Sequence, residues 1–207
     1  MIYKPIIIVV GEPYSTFQEI IFKTYKRNII SNLRRPIIFI GSINLFQKQM
    51  KKLKYSFKIN KLDPNNINTK KINKNVLNFI DVDFKFKKTF DKISYKSKKH
   101  IKKSFDIAMN LLKTNKYSGL INGPISKKHF LKKKYPGITE YLKKLSKTNS
   151  NVAMLIYNPE LSVSPITTHV PIKDVSKKIN KKTILSNIIS INKFFIKNLK
   201  RKPKIAV

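Results

Sequence analysis

The chain has 207 residues, of which 41% are hydrophobic, and its 45 basic and 10 acidic residues give a formal net charge of +35 at pH 7. This length and hydrophobic content allow one domain or two small ones with a buried core. No apolar run approaches the roughly 18 residues of a membrane span, and residues 6–10 are too short for the core of a signal peptide. Because there is also no cysteine, we expect a cytoplasmic protein that does not contact membranes.

Lysine carries almost all of the positive charge, since Arg27, Arg34, Arg35 and Arg201 are the only arginines among the 45 basic residues. Side chains that read base edges or bind phosphate with two hydrogen bonds are usually arginines. Scattered Lys, Asn and Ile are what an AT-rich genome imposes on any surface. We therefore interpret the charge as mutational bias on solvated faces. Weak, non-specific binding of nucleic acid is the alternative.

Strands and helices are predicted to alternate in the first half of the chain. Residues 6–10 form a buried strand, and residues 15–19 offer overlapping capping boxes for a helix. The apolar side of that helix is predicted to be Phe17, Ile20, Ile21 and Tyr25. Residues 36–40 form a second strand, and Ser42 can cap a helix. That second helix carries Leu45, Phe46, Met50 and Leu53.

A loop-rich segment with one strand, residues 76–82, precedes a helix over about residues 97–115. The apolar positions of this helix are Ile101, Phe105, Ala108 and Leu112. A strand over residues 119–121 follows. The alternation predicts an α/β layered fold with a mostly parallel sheet and flanking helices.

Two short helices, residues 126–133 and 139–147, are predicted next. Residues 152–157 and 161–167 are predicted to be strands joined through residues 158–160 as a hairpin or a tight turn. A last helix has apolar positions at Ile184, Ile188, Ile191, Phe195 and Leu199. Residues 204–207 resemble the beginning of another strand.

Nucleotide-binding fingerprints are absent. The five glycines are Gly11, Gly41, Gly119, Gly123 and Gly137. At this spacing neither Gly-x-Gly-x-x-Gly nor Gly-x-x-x-x-Gly-Lys can be written.

His169 is one of three histidines and follows the predicted strand 161–167. Pro171 cannot donate to a sheet ladder, so we expect His169 at or just past the carboxyl end of that strand. Ligands bind at such ends in open α/β sheets. A lone histidine there is also compatible with a purely structural hydrogen bond. His100 and His129 lie among lysines, which disfavour a bound cation, so we expect both on the surface.

Three segments resemble the 4-hydroxythreonine-4-phosphate dehydrogenase family of pyridoxal phosphate biosynthesis. They are Asn-Gly-Pro-Ile-Ser-Lys at 122–127, Pro-Gly-Ile-Thr-Glu-Tyr at 136–141 and Thr-Thr-His-Val-Pro at 167–171. The family carries Gly-Pro-x-x-Lys, Gly-His-Thr-Glu and Thr-Thr-His-x-Pro in this order. The resemblance implies a fold like those of isocitrate and isopropylmalate dehydrogenases, which bind NAD without a Rossmann motif.

The resemblance also implies a reaction and site residues. NAD oxidises a phosphorylated hydroxy amino acid at a divalent metal (zinc, magnesium or cobalt), and the resulting keto acid loses carbon dioxide. His169 matches a metal ligand, Thr139 a substrate contact and Lys127 a contact to phosphate or carboxylate. Glu12 matches an acidic residue in the family's Gly-Asp/Glu-Pro turn. The family further implies a homodimer whose metal site lies at the subunit interface.

Two departures from the family pattern bear on function. Ile138 stands where the family has the histidine of Gly-His-Thr-Glu, which removes a donor from the substrate pocket. The later Gly-Leu-Asn-Pro-His-Ala-Gly-Glu motif is not found, and with it the other metal histidines. Residues 1–207 are therefore expected to be the N-terminal part of a two-lobed dehydrogenase, C-terminally incomplete. The alternative is a catalytically inactive, basic α/β binding module.

Overall fold

The structure is a computed structural model that describes residues 3–132, 134–147 and 152–207. The chain divides into two compact units, Met1–Tyr141 and Leu142–Val207.

The first unit contains a five-stranded sheet in the order β3-β4-β2-β1-β5. Its strands are β1 Ile6–Val9, β2 Ile37–Gly41, β3 Ile59–Lys61, β4 Leu77–Asp81 and β5 Gly119–Asn122. Every neighbouring pair is parallel. The predicted α/β class with a mostly parallel sheet is confirmed, as are the strands predicted over residues 6–10, 36–40, 76–82 and 119–121. The three-residue strand β3 was not predicted.

Helices cover both faces of the sheet, which explains why β2 is buried at all five positions. On one face, α1 (Phe17–Lys26) and α2 (Ile43–Lys52) pack side chains such as Phe22 and Phe46 against Phe39 and Phe79. Alternate strand residues point to the opposite face. There α3 (Lys98–Lys113) lies against β1, β2 and β5 and buries Ile101, Phe105 and Ala108.

The structure confirms α2 and its cap, because Ser42 Oγ accepts the Leu45 N–H at 3.4 Å. It also confirms α1, but the predicted capping box is not formed: Thr16, the N-cap residue, makes no side-chain capping bond. The predicted apolar side of α1 is wrong at Ile20, which is 51% exposed, whereas Phe22 is fully buried. Packing of Phe22 on Phe46, with ring centroids 4.8 Å apart, fixes the rotation of the helix.

The first unit also contains two short helical turns, one before α3 and one after β5. A 3₁₀ turn, Tyr95–Ser97, leads into α3. A π-helical turn, Lys127–Leu131, occupies the place of the helix predicted over residues 126–133, and Lys132 ends it in a left-handed conformation. Residue 133 lies outside the described residues. Helix α4, Ile138–Ser146, begins in the first unit and confirms the helix predicted over residues 139–147.

The second unit contains α5 (Ile172–Lys178), which was not predicted, and α6 (Lys181–Phe194), which continues into a π-helical turn, Phe195–Leu199. This confirms the last predicted helix. Residues 152–157 and 161–167 do not form the regular strands predicted, but the two segments do pair in antiparallel fashion through one bridge between Ile156 and Val163. A ribbon of two strands alone is marginally stable, and alternation does not supply the missing partners. The strand predicted over residues 204–207 is also not formed.

Within the described residues, no helix combines the length and the apolar character that crossing a membrane requires.

Candidate functional site

Two loops cross at the carboxyl edge of the sheet, where ligands bind in open α/β folds. One loop, Gly11-Glu12-Pro13, follows β1, and the other, Gly123-Pro124, follows β5. The Gly123 N–H donates to Val9 O at 2.7 Å, and the Glu12 N–H donates to Pro124 O at 2.9 Å. These bonds hold the two backbones in direct contact.

Only glycine fits at two positions of this crossing. A Cβ on Gly123 would collide with the carbonyl oxygen of Val10, and a Cβ on Gly11 would collide with that of Pro124. Gly11 also has a φ of +82°, a left-handed conformation that side chains disfavour. The absence of a Cβ at these two positions therefore permits the backbone contact on which the site is built.

Glu12 is buried at this crossing, with 1% of its surface exposed. Its Oε2 accepts a hydrogen bond from Ser97 Oγ at 2.8 Å, and its Oε1 accepts the Ser126 N–H at 3.2 Å. A buried carboxylate needs such partners to offset the loss of water. Glu12 thereby joins the loop after β1, the turn before α3 and the loop after β5.

A second set of contacts links the same segments. Ser126 Oγ accepts the His129 N–H at 3.1 Å and lies 2.9 Å from His129 Nδ1. The half-buried His129 ring meets the edge of the Tyr95 ring, with centroids 4.9 Å apart. Tyr95 opens the turn that ends at Ser97. The contacts thus connect five residues in a closed ring, which we call the Glu12 circuit: Glu12, Ser126, His129, Tyr95 and Ser97.

The structure brings three predicted substrate residues into neighbouring elements of the first unit. Lys127 follows Ser126 and is exposed. Ile138, which is half-buried, and Thr139, which is exposed, begin α4. The turn carrying Lys127 packs on the first residues of α4 through Phe130 and Tyr141, whose ring centroids are 5.0 Å apart.

His169 is not at the end of a sheet strand, and that part of the prediction is wrong. It lies in the second unit, exposed, in a segment without strand structure, with a φ of +55°. Among the described residues no group of three or more His, Cys, Asp or Glu side chains could hold a metal ion. The role of His169 as a metal ligand stays a prediction.

The predicted surface location of His100 is also wrong, because this residue is only 6% exposed. Its Nδ1 lies 3.2 Å from Asp83 O, and since a carbonyl can only accept, Nδ1–H donates. The ring packs on Phe84, with centroids 5.3 Å apart. Burial lowers the pKa of His100 below its usual 6.5, and the backbone hydrogen bond opposes this only in part.

Two buried amides that sequence reasoning missed support the loop after β1. Gln18 Nε2 donates to Glu12 O at 3.2 Å and to Pro13 O at 3.0 Å. Gln49 Nε2 donates to Pro13 O at 2.9 Å and to Thr89 O at 3.1 Å. Both residues interrupt the apolar side of a helix, and this is the one sequence signal that could have identified them.

The family model described as pyridoxal phosphate biosynthetic protein PdxA matches residues 32–207. The chain belongs to this family. A 4-hydroxythreonine-4-phosphate dehydrogenase of Sulfurihydrogenibium sp. (strain YO3AOP1) is 32% identical over 216 residues, covering 97% of this chain and 61% of the relative. One of Aquifex aeolicus (strain VF5) is 40% identical over 93 residues, covering 43% of this chain and 28% of the relative.

Solved structures support the fold. The 4-hydroxythreonine-4-phosphate dehydrogenase from Burkholderia phymatum superposes with a TM-score of 0.80 at 22% identity, covering 96% of this chain and 61% of that one. The 4-hydroxythreonine-4-phosphate dehydrogenase from Klebsiella pneumoniae superposes with a TM-score of 0.78 at 21% identity, covering 93% of this chain and 59% of that one. These matches cover nearly all of this chain but only about three fifths of the length of each relative.

The crossing of the two loops predicts a large difference between two glycines. Gly123→Ala places a methyl group against the Val10 carbonyl and should lower the free energy of unfolding by about 1–3 kcal/mol. The matched control is Gly119→Ala, since a Cβ on Gly119 meets nothing within 4 Å. Urea denaturation of both variants measures the effect. Equal stabilities would contradict the described contact.

Burial of His100 predicts a pH-dependent stability. Because its folded pKa lies below 6.5, the unfolded chain binds the proton more readily. The free energy of unfolding should be fully maintained above pH 6.5 and fall as pH drops from 6.5 through the folded pKa. In His100→Asn, whose amide can still donate to Asp83 O, this component should be absent.

Denaturation curves at several pH values check the His100 component. His169→Asn is the matched control, because it makes the same replacement at an exposed position. A His100→Asn variant with the parental pH dependence would show that His100 is not buried as a neutral imidazole.

Proposed function

We propose that the chain takes part in the 4-hydroxythreonine-4-phosphate dehydrogenase reaction of pyridoxine 5'-phosphate (vitamin B6) biosynthesis. In this reaction 4-phosphohydroxy-L-threonine is oxidised and decarboxylated to 3-amino-2-oxopropyl phosphate. One observation carries the proposal. The Gly-Pro-x-x-Lys motif leads into the turn after β5, the Thr-Glu pair of the second motif lies in the first turn of α4, and these two elements of the first unit pack against each other. Family membership supports the same assignment.

The proposed reaction is an oxidation followed by a decarboxylation. The carbon bearing the secondary hydroxyl loses a hydride, the hydroxyl loses its proton, and a ketone forms. NAD, when bound, accepts the hydride. The ketone lies β to the carboxylate, so the carbon–carbon bond to carbon dioxide can break and leave its electron pair in an enol system, which is then protonated.

The residues of this chain would act by binding and orienting the substrate. The Lys127 ammonium can make a charge-assisted hydrogen bond to phosphate or carboxylate, and the Thr139 hydroxyl can donate to a substrate oxygen. Both side chains are exposed and can receive a ligand from solution. The large positive charge of the chain favours the approach of a phosphorylated substrate.

His169 completes the proposal as a ligand to zinc, magnesium or cobalt, supported by its place in the Thr-Thr-His-x-Pro motif. Assembly as a homodimer and a cytoplasmic location belong to the same proposal and are supported by the family resemblance. No residue is assigned to NAD.

The test of this function is formation of NADH from NAD and 4-phosphohydroxy-L-threonine with each of the three metals. Lys127→Ala and Thr139→Ala should lower kcat/KM, whereas Lys128→Ala, a neighbouring exposed lysine, should not. If kcat/KM is unaffected by the first two variants, the substrate is bound elsewhere. Because the chain spans about three fifths of its relatives' length, the assay is run with and without a separately expressed segment of a relative that supplies the remaining part. If no NADH forms even with that segment added, the dehydrogenase assignment fails.

Ile138 generates a more specific prediction. Restoring a donor by Ile138→His should strengthen substrate binding and lower KM about tenfold or more, since a hydrogen bond to a charged group contributes roughly 1.5–3 kcal/mol. Ile138→Leu, which changes shape but adds no donor, is the control. Steady-state kinetics of the two variants decide the question. An unchanged or higher KM in the histidine variant would place the phosphate away from α4.

A basic module that binds nucleic acid is the second candidate function. The chain has 45 basic but only 10 acidic residues, so most lysines cannot pair with a carboxylate of the same chain. Binding to duplex or single-stranded DNA should then be weak and independent of sequence, and should fall steeply with salt. Filter binding at several salt concentrations, with unrelated sequences compared, measures both properties. Tight, sequence-selective binding at physiological salt would overturn our interpretation of the charge.

A further inference from the structure

We propose that Glu12 is a positioning residue for Lys127. Its buried carboxylate fixes the turn that begins at Lys127 and thereby sets where the Lys127 ammonium meets an anionic group of the substrate. This inference rests on the proposed function, since it takes Lys127 as a contact to phosphate or carboxylate.

The backbone of Glu12 is itself held in place on both sides of the residue. Its backbone N–H donates to Pro124 O at 2.9 Å, and its carbonyl oxygen accepts from the buried side chain of Gln18 at 3.2 Å. Glu12 is 1% exposed, so its carboxylate has almost no contact with water. A charge that is buried and fixed at its backbone offers two acceptor oxygens in defined positions.

The position of Oε1 determines the start of the next turn. Ser126 donates its N–H to this oxygen at 3.2 Å and is the N-cap residue of the Lys127–Leu131 turn. Its own Oγ accepts the His129 N–H at 3.1 Å. The carboxylate therefore orients the cap, and the cap orients the first turn, from which the exposed Lys127 side chain extends.

The opposite side of the circuit prevents the turn from rotating. Oε2 holds Ser97, which ends the turn opened by Tyr95, and the Tyr95 ring contacts the His129 ring. The Lys132 ammonium lies 4.9 Å from the centroid of the same tyrosine ring. Both ends of the Lys127–Leu131 turn are thus tied to segments that Glu12 joins.

The hydrogen-bond geometry identifies a variant that keeps the circuit without the charge. Ser97 Oγ lies 2.8 Å from Glu12 Oε2 and 3.0 Å from Ser94 O, but its hydroxyl has one hydrogen. In Glu12→Gln, Oε1 can still accept from Ser126, and the amide can donate to Ser97 Oγ, whose hydrogen then goes to Ser94 O. Glu12→Met fills a similar volume, but its thioether sulfur is only a weak acceptor and replaces neither carboxylate oxygen.

Amide hydrogen exchange followed by NMR tests the first half of the inference. Glu12→Met should speed exchange at the Ser126 and His129 amides by roughly tenfold or more, while Glu12→Gln behaves as the parent chain. Glu19→Gln is the control for loss of a carboxylate, because Glu19 is a surface residue paired with Lys23. The core amides Ile38 and Phe39 report whether a change is local.

Titration with inorganic phosphate, followed at the Lys127 amide, tests the second half. Glu12→Met should weaken phosphate binding by roughly tenfold, approaching Lys127→Ala, and Glu12→Gln should restore parental affinity. If Glu12→Met does not fold, Glu12→Asp, whose shorter side chain cannot reach both serines, serves in its place.

Three outcomes decide between the proposals. Unchanged exchange at Ser126 and His129 in Glu12→Met overturns the positioning role. Faster exchange with parental phosphate affinity, while Lys127→Ala weakens binding, overturns it as well. If Lys127→Ala leaves phosphate binding unchanged but Glu12→Met still speeds exchange, the Lys127 contact of the proposed function fails, and control of the turn by Glu12 is supported.

Discussion

The carboxyl edge of the sheet depends on the contact between the loops that follow β1 and β5. Gly11 and Gly123 permit this contact, since a side chain at either position would collide with a backbone carbonyl. The contact then removes Glu12 from water and leaves Ser97 and Ser126 as the partners of its carboxylate. A charge buried in this way is costly without its hydrogen bonds, so the geometry of the three segments is strongly coupled.

This arrangement separates rigidity from accessibility. Glu12 and Gln18 are buried and hold the backbone, whereas Lys127 and Thr139 are exposed and lie on elements built upon that base. An exposed lysine normally loses side-chain entropy when it binds a ligand. A fixed turn beneath it limits the additional loss from the backbone, which is the benefit of supporting a binding residue by a rigid network.

Much of the first unit could be predicted because buried parallel strands read as continuous apolar runs, as in residues 36–40. His100 was misassigned because its lysine neighbours suggested solvent, although it precedes the buried Ile101 and lies on the same helix as Phe105. The two strands predicted within residues 152–167 are reduced to a single antiparallel bridge, because alternation does not specify the further strands that would extend the pairing. The Gly-Glu-Pro and Gly-Pro-x-x-Lys motifs were recognised separately. No local pattern connects Glu12 with serines 85 and 114 residues away.

That sequence separation also has a consequence for synthesis of the protein. At about 5–20 residues per second, a ribosome adds the 114 residues between Glu12 and Ser126 in roughly 6–23 s. During this interval β1 and the Glu12 carboxylate that follows it have no completed site to enter. Contacts between residues this far apart in sequence are also slow to form. Glu12 gains its Ser126 partner only after almost all of the first unit has been made. Folding at this edge of the sheet therefore cannot be completed until β5 and the loop that follows it have been synthesised.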